Sequence, residues 1–396
     1  YGLESYYQDV LSRNSGDLYT NFFAEIFSNI KKSVDSNSRF EGDIVTTIEP
    51  TAQAFLEKEL VSIKEAWNSR ASGGIIMDPV SGEIYAMANY PTFDPNALQN
   101  EKDPAIFADP IVENVYEMGS IIKPLTMAAG IDSGTVTALS TYVDKGFLVL
   151  NGSKISNFDG KGRGLVNMQT VLNDSLNTGV AYVALKMGND LFSDYFRRFG
   201  LGDETGIDMP NEAPGLINTL KSPRDIEYAT ASYGQGIAMS PIITIRALSS
   251  LANGGYLVTP HLVKQIDYTA GVSKKLTYDK GLQVIKPETS AEISRMLVTV
   301  VDKALLGGTV KIPNYSVAAK TGTAQIAKET GGGYYSDRYL HSFFGYFPAY
   351  NPKFIVFLYT IEPKGVGGDF ASHTLTKPFI ATTKFLINYY KIPPDR

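Results

Sequence analysis

Hydrophobic residues recur at helical spacing in several stretches of this chain. Between Thr51 and Trp67 the spacing of Leu56, Leu60 and Ile63 predicts one amphipathic helix. A wider apolar stripe follows Thr289-Ser290-Ala291-Glu292, which has the sequence of a capping box. We expect this tetrapeptide to open a deeply buried helix lying against a sheet. Four more helices are predicted, at 120–129, 168–187, 240–252 and 374–390.

Strand-like sequence lies on both sides of this helical middle. Gly74–Met77 and Glu83–Met87 flank a turn built from Asp78-Pro79-Val80-Ser81-Gly82, which predicts a hairpin. Three β-rich runs with short breaks, at 315–326, 341–347 and 353–361, predict an antiparallel meander. The chain is therefore predicted to be α+β, with an antiparallel five-stranded sheet flanked by helices and a large helical subdomain.

Residues 1–42 differ from the rest of the chain, because they are polar and lack a strong hydrophobic period. We expect a small extended module there, with a strand at 43–48 leading into the main domain. No stretch reaches the roughly 18–20 apolar residues of a membrane span. Because the chain begins with Tyr1 rather than Met, we expect it to be a fragment from which the N-terminal part was removed.

Composition narrows the chemistry. Of the 396 residues, 43% are hydrophobic and 19% are charged, as in a globular protein. The net charge of −5 gives no indication of a nucleic-acid surface. With no cysteine, the chain has no disulfide, thiolate metal site or cysteine nucleophile. Its three histidines form no HExxH pattern, and no G-x-S-x-G elbow supports a Ser-His-Asp triad.

A serine and a lysine stand one helical turn apart at the predicted start of the helix at 120–129. Residues three apart share one helical face, so Lys123 would lie close to the Ser120 hydroxyl. A desolvated lysine can take the proton of a serine and make it a nucleophile. Taken alone, the pair favours a buried N-cap serine with a surface lysine over a catalytic pair.

Two further patches contain residues of the same chemical kinds. Ser175-Leu176-Asn177 offers a hydroxyl for a proton relay and an amide for a substrate, although a cap or loop role is the default interpretation. Lys320-Thr321-Gly322-Thr323 lies inside a β-rich run, where the glycine indicates a close approach to the backbone. The alternative is an ordinary edge strand with a protective lysine.

The order Ser-x-x-Lys, Ser-x-Asn, Lys-Thr-Gly is far more specific than any one patch. With it the chain resembles the penicillin-recognising serine enzymes, the penicillin-binding proteins and serine β-lactamases. It is most similar to the transpeptidase domain of class B penicillin-binding proteins, over 43–396, with 1–42 resembling the end of their N-terminal pedestal. Further stretches of sequence that match this family lie at 76–84, 90–95, 233–241 and 252–255.

The resemblance implies peptidoglycan cross-linking through an acyl-enzyme. Ser120 would attack the carbonyl of the penultimate D-Ala of a stem peptide, and Lys123, kept neutral by burial and by Lys320, would take the proton. Ser175 would relay a proton to the departing D-Ala. The backbone N–H groups of Ser120 and Thr323 would form the oxyanion hole. A β-lactam would acylate Ser120 in the same way.

The resemblance also assigns the substrate-binding residues. Asn177 would hold the peptide amide, Thr321 and Thr323 the terminal carboxylate, and Gly322 would allow an extended substrate to approach the strand edge. An amine from a neighbouring stem peptide would take the acyl group. No metal or organic cofactor is implied. Two residues depart from the family pattern, Met118 and Leu176, and neither removes a catalytic group.

Rival functions within the superfamily differ in the acyl acceptor. A class A β-lactamase uses a Glu-x-x-x-Asn loop, and Glu204, Glu212 and Glu227 lack the asparagine. A D,D-carboxypeptidase, or a penicillin sensor or scaffold without turnover, stays open. The resemblance further implies an extracytoplasmic location at a bacterial membrane and a SEDS-family glycan polymerase as partner. The text at 341–348 favours the division type.

Overall fold

Five antiparallel strands form the central sheet of the protein. The computed structural model describes residues 2–12, 41–269, 271–329, 331–365 and 368–396. Its strands are β1 Gly42–Thr46, β2 Ala71–Met77, β3 Ile84–Tyr90, β4 Thr141–Asp144, β5 Phe147–Leu150, β6 Ser153–Ser156, β7 Gly164–Asn167, β8 Val263–Tyr268, β9 Ser273–Lys275, β10 Ala318–Ala327, β11 Tyr334–Phe347 and β12 Phe354–Ile361.

Helices pack on both faces of that sheet and form the middle of the chain. They are α1 Gly2–Tyr6, α2 Gln8–Leu11, α3 Pro50–Trp67, α4 Lys123–Asp132, α5 Met168–Asn173, α6 Asn177–Met187, α7 Asn189–Arg198, α8 Asp225–Ala231, α9 Pro241–Ser249, α10 Pro287–Thr299, α11 Ala371–Thr374 and α12 Thr376–Tyr389.

The strand order of the large sheet is β10-β11-β12-β2-β3, with every neighbouring pair antiparallel. The predicted hairpin and the predicted meander thus join as one sheet, and the predicted α+β class is confirmed. β10 lies at the edge, where one side of its backbone stays open to a cleft. Because β12 lies in the middle, all eight of its residues are buried.

The two faces of the sheet belong to two cores. In β12 the side chains of Ile355, Phe357 and Tyr359 pack into the core shared with the helical middle. The alternate residues Val356 and Leu358 pack into a second core against α3 and α12. This alternation follows from the two-residue period of a strand. A continuous apolar run is the result, as expected for a strand that is covered on both faces.

The predicted capping box is wrong. The helix begins at Pro287, two residues earlier, and its N-cap residue, Lys286, makes no side-chain cap. The hydroxyl of Thr289 instead donates to Asp132, and that of Ser290 donates to the carbonyl of Leu251. The local pattern predicted that the Thr289 and Ser290 hydroxyls lie at the end of the helix. Both instead donate to buried groups outside it. The deep burial predicted for this helix is confirmed.

The single helix predicted over 168–187 is two helices, α5 and α6. Ser175, between them, has φ of 54°, in the left-handed region that a continuous right-handed helix excludes. Small two-stranded sheets, β4–β7 and β5–β6, occupy part of the segment that was predicted to be helical with loops. Their strands have four residues each, too few for a clear alternation.

The described N-terminal residues contact the main body. β1 pairs with β8, and Tyr7 packs with Val263 and Ile266 while its hydroxyl donates to Asp208 at 3.0 Å. Most of the polar module predicted at 1–42 lies outside the described residues, so the boundary at residue 42 stays a prediction. Among the helices described, none combines the length and apolar character needed to cross a membrane.

Candidate active site

The edge of β10 faces a cleft of about 840 Å³ that lies between the sheet and the helical middle. Residues from all three predicted patches line it. The sequence places these patches at 120–123, 175–177 and 320–323, so only the fold brings them together. Those lining the cleft are Ser120, Ser175, Asn177, Lys320, Thr321 and Thr323.

A left-handed glycine positions Ser120. Gly119 has φ of 64°, and a Cβ at this position would lie 2.7 Å from the carbonyl oxygen of Thr323. Only glycine therefore allows this turn to lie against β10. A 3-10 turn over Gly119–Ile122 follows, and α4 begins at Lys123. Ser120 is left half-buried at the cleft while Lys123 is fully buried beneath it.

Gly322, in β10, allows the same close approach between β10 and the turn at Gly119. A Cβ on Gly322 would lie 2.7 Å from the carbonyl oxygen of Met118 and 3.0 Å from the backbone nitrogen of Ile121. The close approach that the glycine indicated in the sequence is therefore made by the segment that contains Ser120. Its assignment as a substrate-binding residue stays a prediction.

Ser175 lies between two buried lysines. The Lys123 Nζ donates to the Ser175 carbonyl and lies 3.1 Å from the Ser175 Oγ. The Lys320 Nζ lies 2.9 Å from the same hydroxyl oxygen and 3.0 Å from the carbonyl of Thr321. Because two lysines occupy the acceptor positions of this hydroxyl, its own proton is free to point into the cleft.

Burial changes the protonation of both lysines. It lowers the pKa of Lys320 to about 7. It lowers the pKa of Lys123 well below its usual range, and the charge of Lys320 lowers it further. Lys320 is 3% exposed, so the alternative of a protective surface lysine on an edge strand is wrong. The geometry thus favours a neutral amine at Lys123.

The Ser120 hydroxyl is not hydrogen bonded to either lysine or to Ser175 within the described part of the chain. Catalytic hydrogen bonds are often long in unliganded sites and shorten when substrate binds. The Thr323 hydroxyl accepts from the backbone N–H of Ala371 at 3.2 Å, which leaves its proton available to a ligand. The predicted carboxylate-binding hydroxyls thus both face the cleft.

The side-chain amide of Asn177 has a fixed orientation. Its Nδ2 donates to the carbonyl of Ser156 at 2.9 Å. An amide flip would place two oxygens against each other, so Oδ1 is the atom left for the cleft. The sequence predicted both a donor and an acceptor here, and the structure commits one donor hydrogen to the protein.

Several cleft residues were not found by sequence reasoning. The rings of Phe158 and Phe370 line the cleft and pack edge to face, with centroids 5.8 Å apart. Arg163 makes two hydrogen bonds to Asp159, at 2.8 and 3.0 Å. Only the glycine-rich loop at 157–164 gave a signal in the sequence, because it indicated irregular structure without indicating a role. Nothing in the sequence singled out Phe370.

A further missed stretch follows α10, where a π-helical turn, Val300–Ala304, lines the cleft and leads to Leu306 with φ of 47°. Such π-turns are frequent at functional sites. The two departures from the family pattern, Met118 and Leu176, are both fully buried. Neither side chain lines the cleft, and their influence on antibiotic reactivity stays a prediction.

Comparison with known families agrees with this geometry. The model of the penicillin binding protein transpeptidase domain matches residues 73–381, which include all three patches. The chain belongs to this family. Stage V sporulation protein D of Bacillus subtilis is 32% identical over 383 residues, covering 94% of this chain and 58% of the relative. A peptidoglycan D,D-transpeptidase FtsI homolog of Mesostigma viride is 27% identical, covering 83% of this chain and 58% of the relative.

Solved structures show the same fold. Penicillin-binding protein 3 of Mycobacterium tuberculosis, in complex with aztreonam, superposes with a TM-score of 0.83 at 24% identity, covering 92% of this chain and 83% of that chain. The transpeptidase domain of Burkholderia pseudomallei penicillin-binding protein 3 has a TM-score of 0.75 at 28% identity, covering 89% and 98%. The chain spans a little over half the length of the curated relatives it matches first.

Proposed function

We propose that this domain is a peptidoglycan D,D-transpeptidase that cross-links stem peptides through an acyl-enzyme on Ser120. The observation that carries the proposal is the hydroxyl of Ser175, a residue that lines the same cleft as Ser120, because this hydroxyl is shared by two buried lysines. A neutral amine and a free hydroxyl proton at one point are what two successive proton transfers need. The alternatives of a carboxypeptidase or a sensor share this site and differ in the acceptor.

In the first half-reaction Ser120 Oγ attacks the carbonyl carbon of the penultimate D-Ala, and its proton passes to the neutral Nζ of Lys123. The carbonyl oxygen becomes an oxyanion held by the backbone N–H groups of Ser120 and Thr323. The C–N bond then breaks, Ser175 gives its proton to the departing amine, and Lys123 restores that proton. The products are free D-Ala and an ester on Ser120.

In the second half-reaction an amine from a neighbouring stem peptide attacks the ester carbonyl. The amine loses a proton, the C–O bond to Ser120 breaks, and Ser120 recovers its hydrogen through the same lysine and serine. One peptide bond is broken and one is formed, so the reaction needs no external energy source. A β-lactam would follow the first half only, because its leaving group stays attached and blocks the acceptor.

The remaining predicted residues would hold the donor peptide. Asn177 Oδ1 would accept the hydrogen of a peptide N–H, and Thr321 and Thr323 would donate to the terminal carboxylate. Lys320 would add a positive charge in the fraction of molecules where it is protonated, since its pKa is about 7. Aztreonam and ampicillin complexes of the Mycobacterium tuberculosis relative support β-lactams as ligands of this cleft.

We also propose an extracytoplasmic location, a role in division, and a SEDS-family glycan polymerase as partner. The division role is supported by a relative named as an FtsI homolog. Peptidoglycan lies outside the cytoplasmic membrane, so the domain must lie there to reach its substrate. Co-purification of the full-length protein with the polymerase, compared with the isolated domain, tests the partner. Recovery of no polymerase with either would contradict it.

Labelling with penicillin tests the acyl-enzyme. A fluorescent penicillin should add the mass of one penicillin molecule to the tryptic peptide that contains Ser120. No other tryptic peptide should carry the adduct. Ser120→Ala should abolish labelling, and Ser175→Ala should slow it while keeping the adduct on Ser120. Labelling of a folded Ser120→Ala variant would refute the assignment.

Product analysis tests the acceptor. A synthetic donor ending in D-Ala-D-Ala, supplied with an amine acceptor, should give the cross-linked peptide and free D-Ala. Hydrolysed donor alone would identify a carboxypeptidase. Release of no D-Ala from a protein that is acylated by penicillin would identify a sensor. The cross-linked peptide, the hydrolysed donor and the unreacted donor differ in mass, so one chromatographic separation distinguishes the three functions.

A further inference from the structure

The loop that joins β4 to β7 is folded around one buried carboxylate. Asp144 is 2% exposed, and its oxygens accept from the backbone N–H groups of Gly146 at 2.9 Å and Arg163 at 3.0 Å. They also accept from the side-chain amide of Asn157, at 3.1 and 3.0 Å, and from the hydroxyl of Thr178 at 2.8 Å. Within the described residues this buried anion is stabilised by hydrogen bonds rather than by a salt bridge.

This carboxylate completes the N-terminus of α6. The N-cap position is occupied by Leu176, whose side chain cannot accept a hydrogen bond. The backbone N–H of Thr178 donates instead to Asn157 Oδ1, at 3.2 Å. Asp144 holds that amide through its other end. A helix end without a local cap is thus satisfied by a remote asparagine and aspartate.

Asn177 is the first residue of α6 and is attached to the same loop. Its Nδ2 donates to the carbonyl of Ser156, the residue before Asn157. The adjacent loop residues Ser156 and Asn157 therefore bind the adjacent helix residues Asn177 and Thr178. Asp144 in turn accepts hydrogen bonds from Asn157 and Thr178. The direction in which Asn177 Oδ1 points into the cleft depends on this arrangement.

We propose that Asp144 is a positioning residue, which acts through Asn157 and Thr178 to aim the Asn177 amide at the substrate peptide. The inference rests on the proposed function, because it concerns the amide that would hold the acyl donor. Among the described residues neither Ser120 nor either lysine is hydrogen bonded to Asp144, so removing its charge would leave those three side chains in place and would release the end of α6. Acylation by the substrate would then be slower, because the Asn177 amide would no longer be held in its orientation.

Asp144→Asn is the sharpest perturbation. Both oxygens accept from N–H donors, so an amide in either orientation places its own NH₂ against another N–H. We expect the second-order rate constant for acylation by a fluorescent penicillin to fall roughly 10- to 100-fold, the loss typical of a binding group misplaced by ~1 Å. Thr178→Val, which removes one donor to the carboxylate at nearly constant volume, should lower the rate in the same direction.

Asp132→Asn is the matched control. Asp132 is 8% exposed and accepts from Tyr195, Lys286 and Thr289 at 2.7–2.8 Å, and it does not line the cleft. Both aspartate variants should lose thermal stability, because each loses hydrogen bonds to a buried carboxylate. Only Asp144→Asn should slow the acylation of the folded fraction, as determined by active-site titration.

A double-mutant cycle with Asn177→Ala separates positioning from general destabilisation. If Asp144 acts through Asn177, Asp144→Asn should have almost no further effect on acylation once Asn177 is alanine. Fully additive losses would overturn the inference. So would an unchanged acylation rate in Thr178→Val, which decides the matter if Asp144→Asn fails to fold. Failure of the proposed function would look different, since the unmodified chain would then not be acylated at Ser120.

Discussion

Replacing Lys320 with methionine tests what lowers the pKa of Lys123. Both Nζ atoms are hydrogen bonded to the Ser175 Oγ, at 3.1 and 2.9 Å, so the two nitrogens lie at most about 6 Å apart. Two positive charges at that separation repel by roughly 3 kcal/mol at an effective dielectric constant of about 20. That repulsion disfavours the protonated form of Lys123 and therefore lowers its pKa.

The direction in which the pKa of Lys123 changes follows from the charges of the two lysines. Burial lowers the pKa of Lys123 first, and the charge of Lys320 lowers it further. Lys320 itself has its pKa lowered to about 7, so it is mostly charged below that pH. Methionine removes the repulsion, so the pKa of Lys123 should rise. The neutral base is then lost at a higher pH.

The measurement is the pH profile of acylation by a fluorescent penicillin, followed as the second-order rate constant from pH 4.5 to 9. In Lys320→Met the acid limb should move to higher pH, while the maximum falls because a cation near the carboxylate is lost. Lys320→Arg keeps the charge, so its acid limb should not move to higher pH. An unshifted acid limb in Lys320→Met would refute the electrostatic explanation and leave burial alone as the cause.

Two further predictions concern folding. Burial lowers the pKa of His341 to about 4, so the unfolded state binds more protons between pH 4 and 6.5 and native stability should fall across that window as pH falls, by up to roughly 3 kcal/mol. His341→Gln should flatten that dependence in urea unfolding at pH 4.5 and 7.5; an equally steep loss in the variant would contradict it. Gly119→Ala should lower both stability, by roughly 1–2 kcal/mol or more, and the acylation rate, because its Cβ would meet Thr323. Gly134→Ala, with φ of 74° and no atom within 4 Å of the new Cβ, is the control: equal losses in both variants would argue against the clash.

Local pattern was sufficient for elements that bury one regular face. The spacing of Leu56, Leu60 and Ile63 located α3, and all three side chains are buried as that spacing requires. The hairpin of β2 and β3 was predicted from its turn residues. The capping box failed because Thr289 found Asp132, a partner more than 150 residues away in the chain. A local motif competes with distant partners that the sequence does not reveal.

The candidate site was predicted from residue types and their order. Ser120, Lys123 and Lys320 were singled out before their positions in space were known, since the order of the three patches resembles one family. The residues that surround them were not found. Asp144, Phe158 and Phe370 are common residue types at positions without local regularity, and their relation to the cleft exists only after folding.

The sequence by itself determined the five strands of the central sheet and the main helices, and it singled out the candidate reactive groups, because these depend on local periodicity and on side-chain chemistry. Tertiary structure decided their state. Ser175 lies within reach of Lys123 and Lys320 only because the chain breaks there between α5 and α6 and because β10 lies at the sheet edge. Burial lowers the pKa of both lysines, and burial is a property of the packed molecule that no local pattern contains.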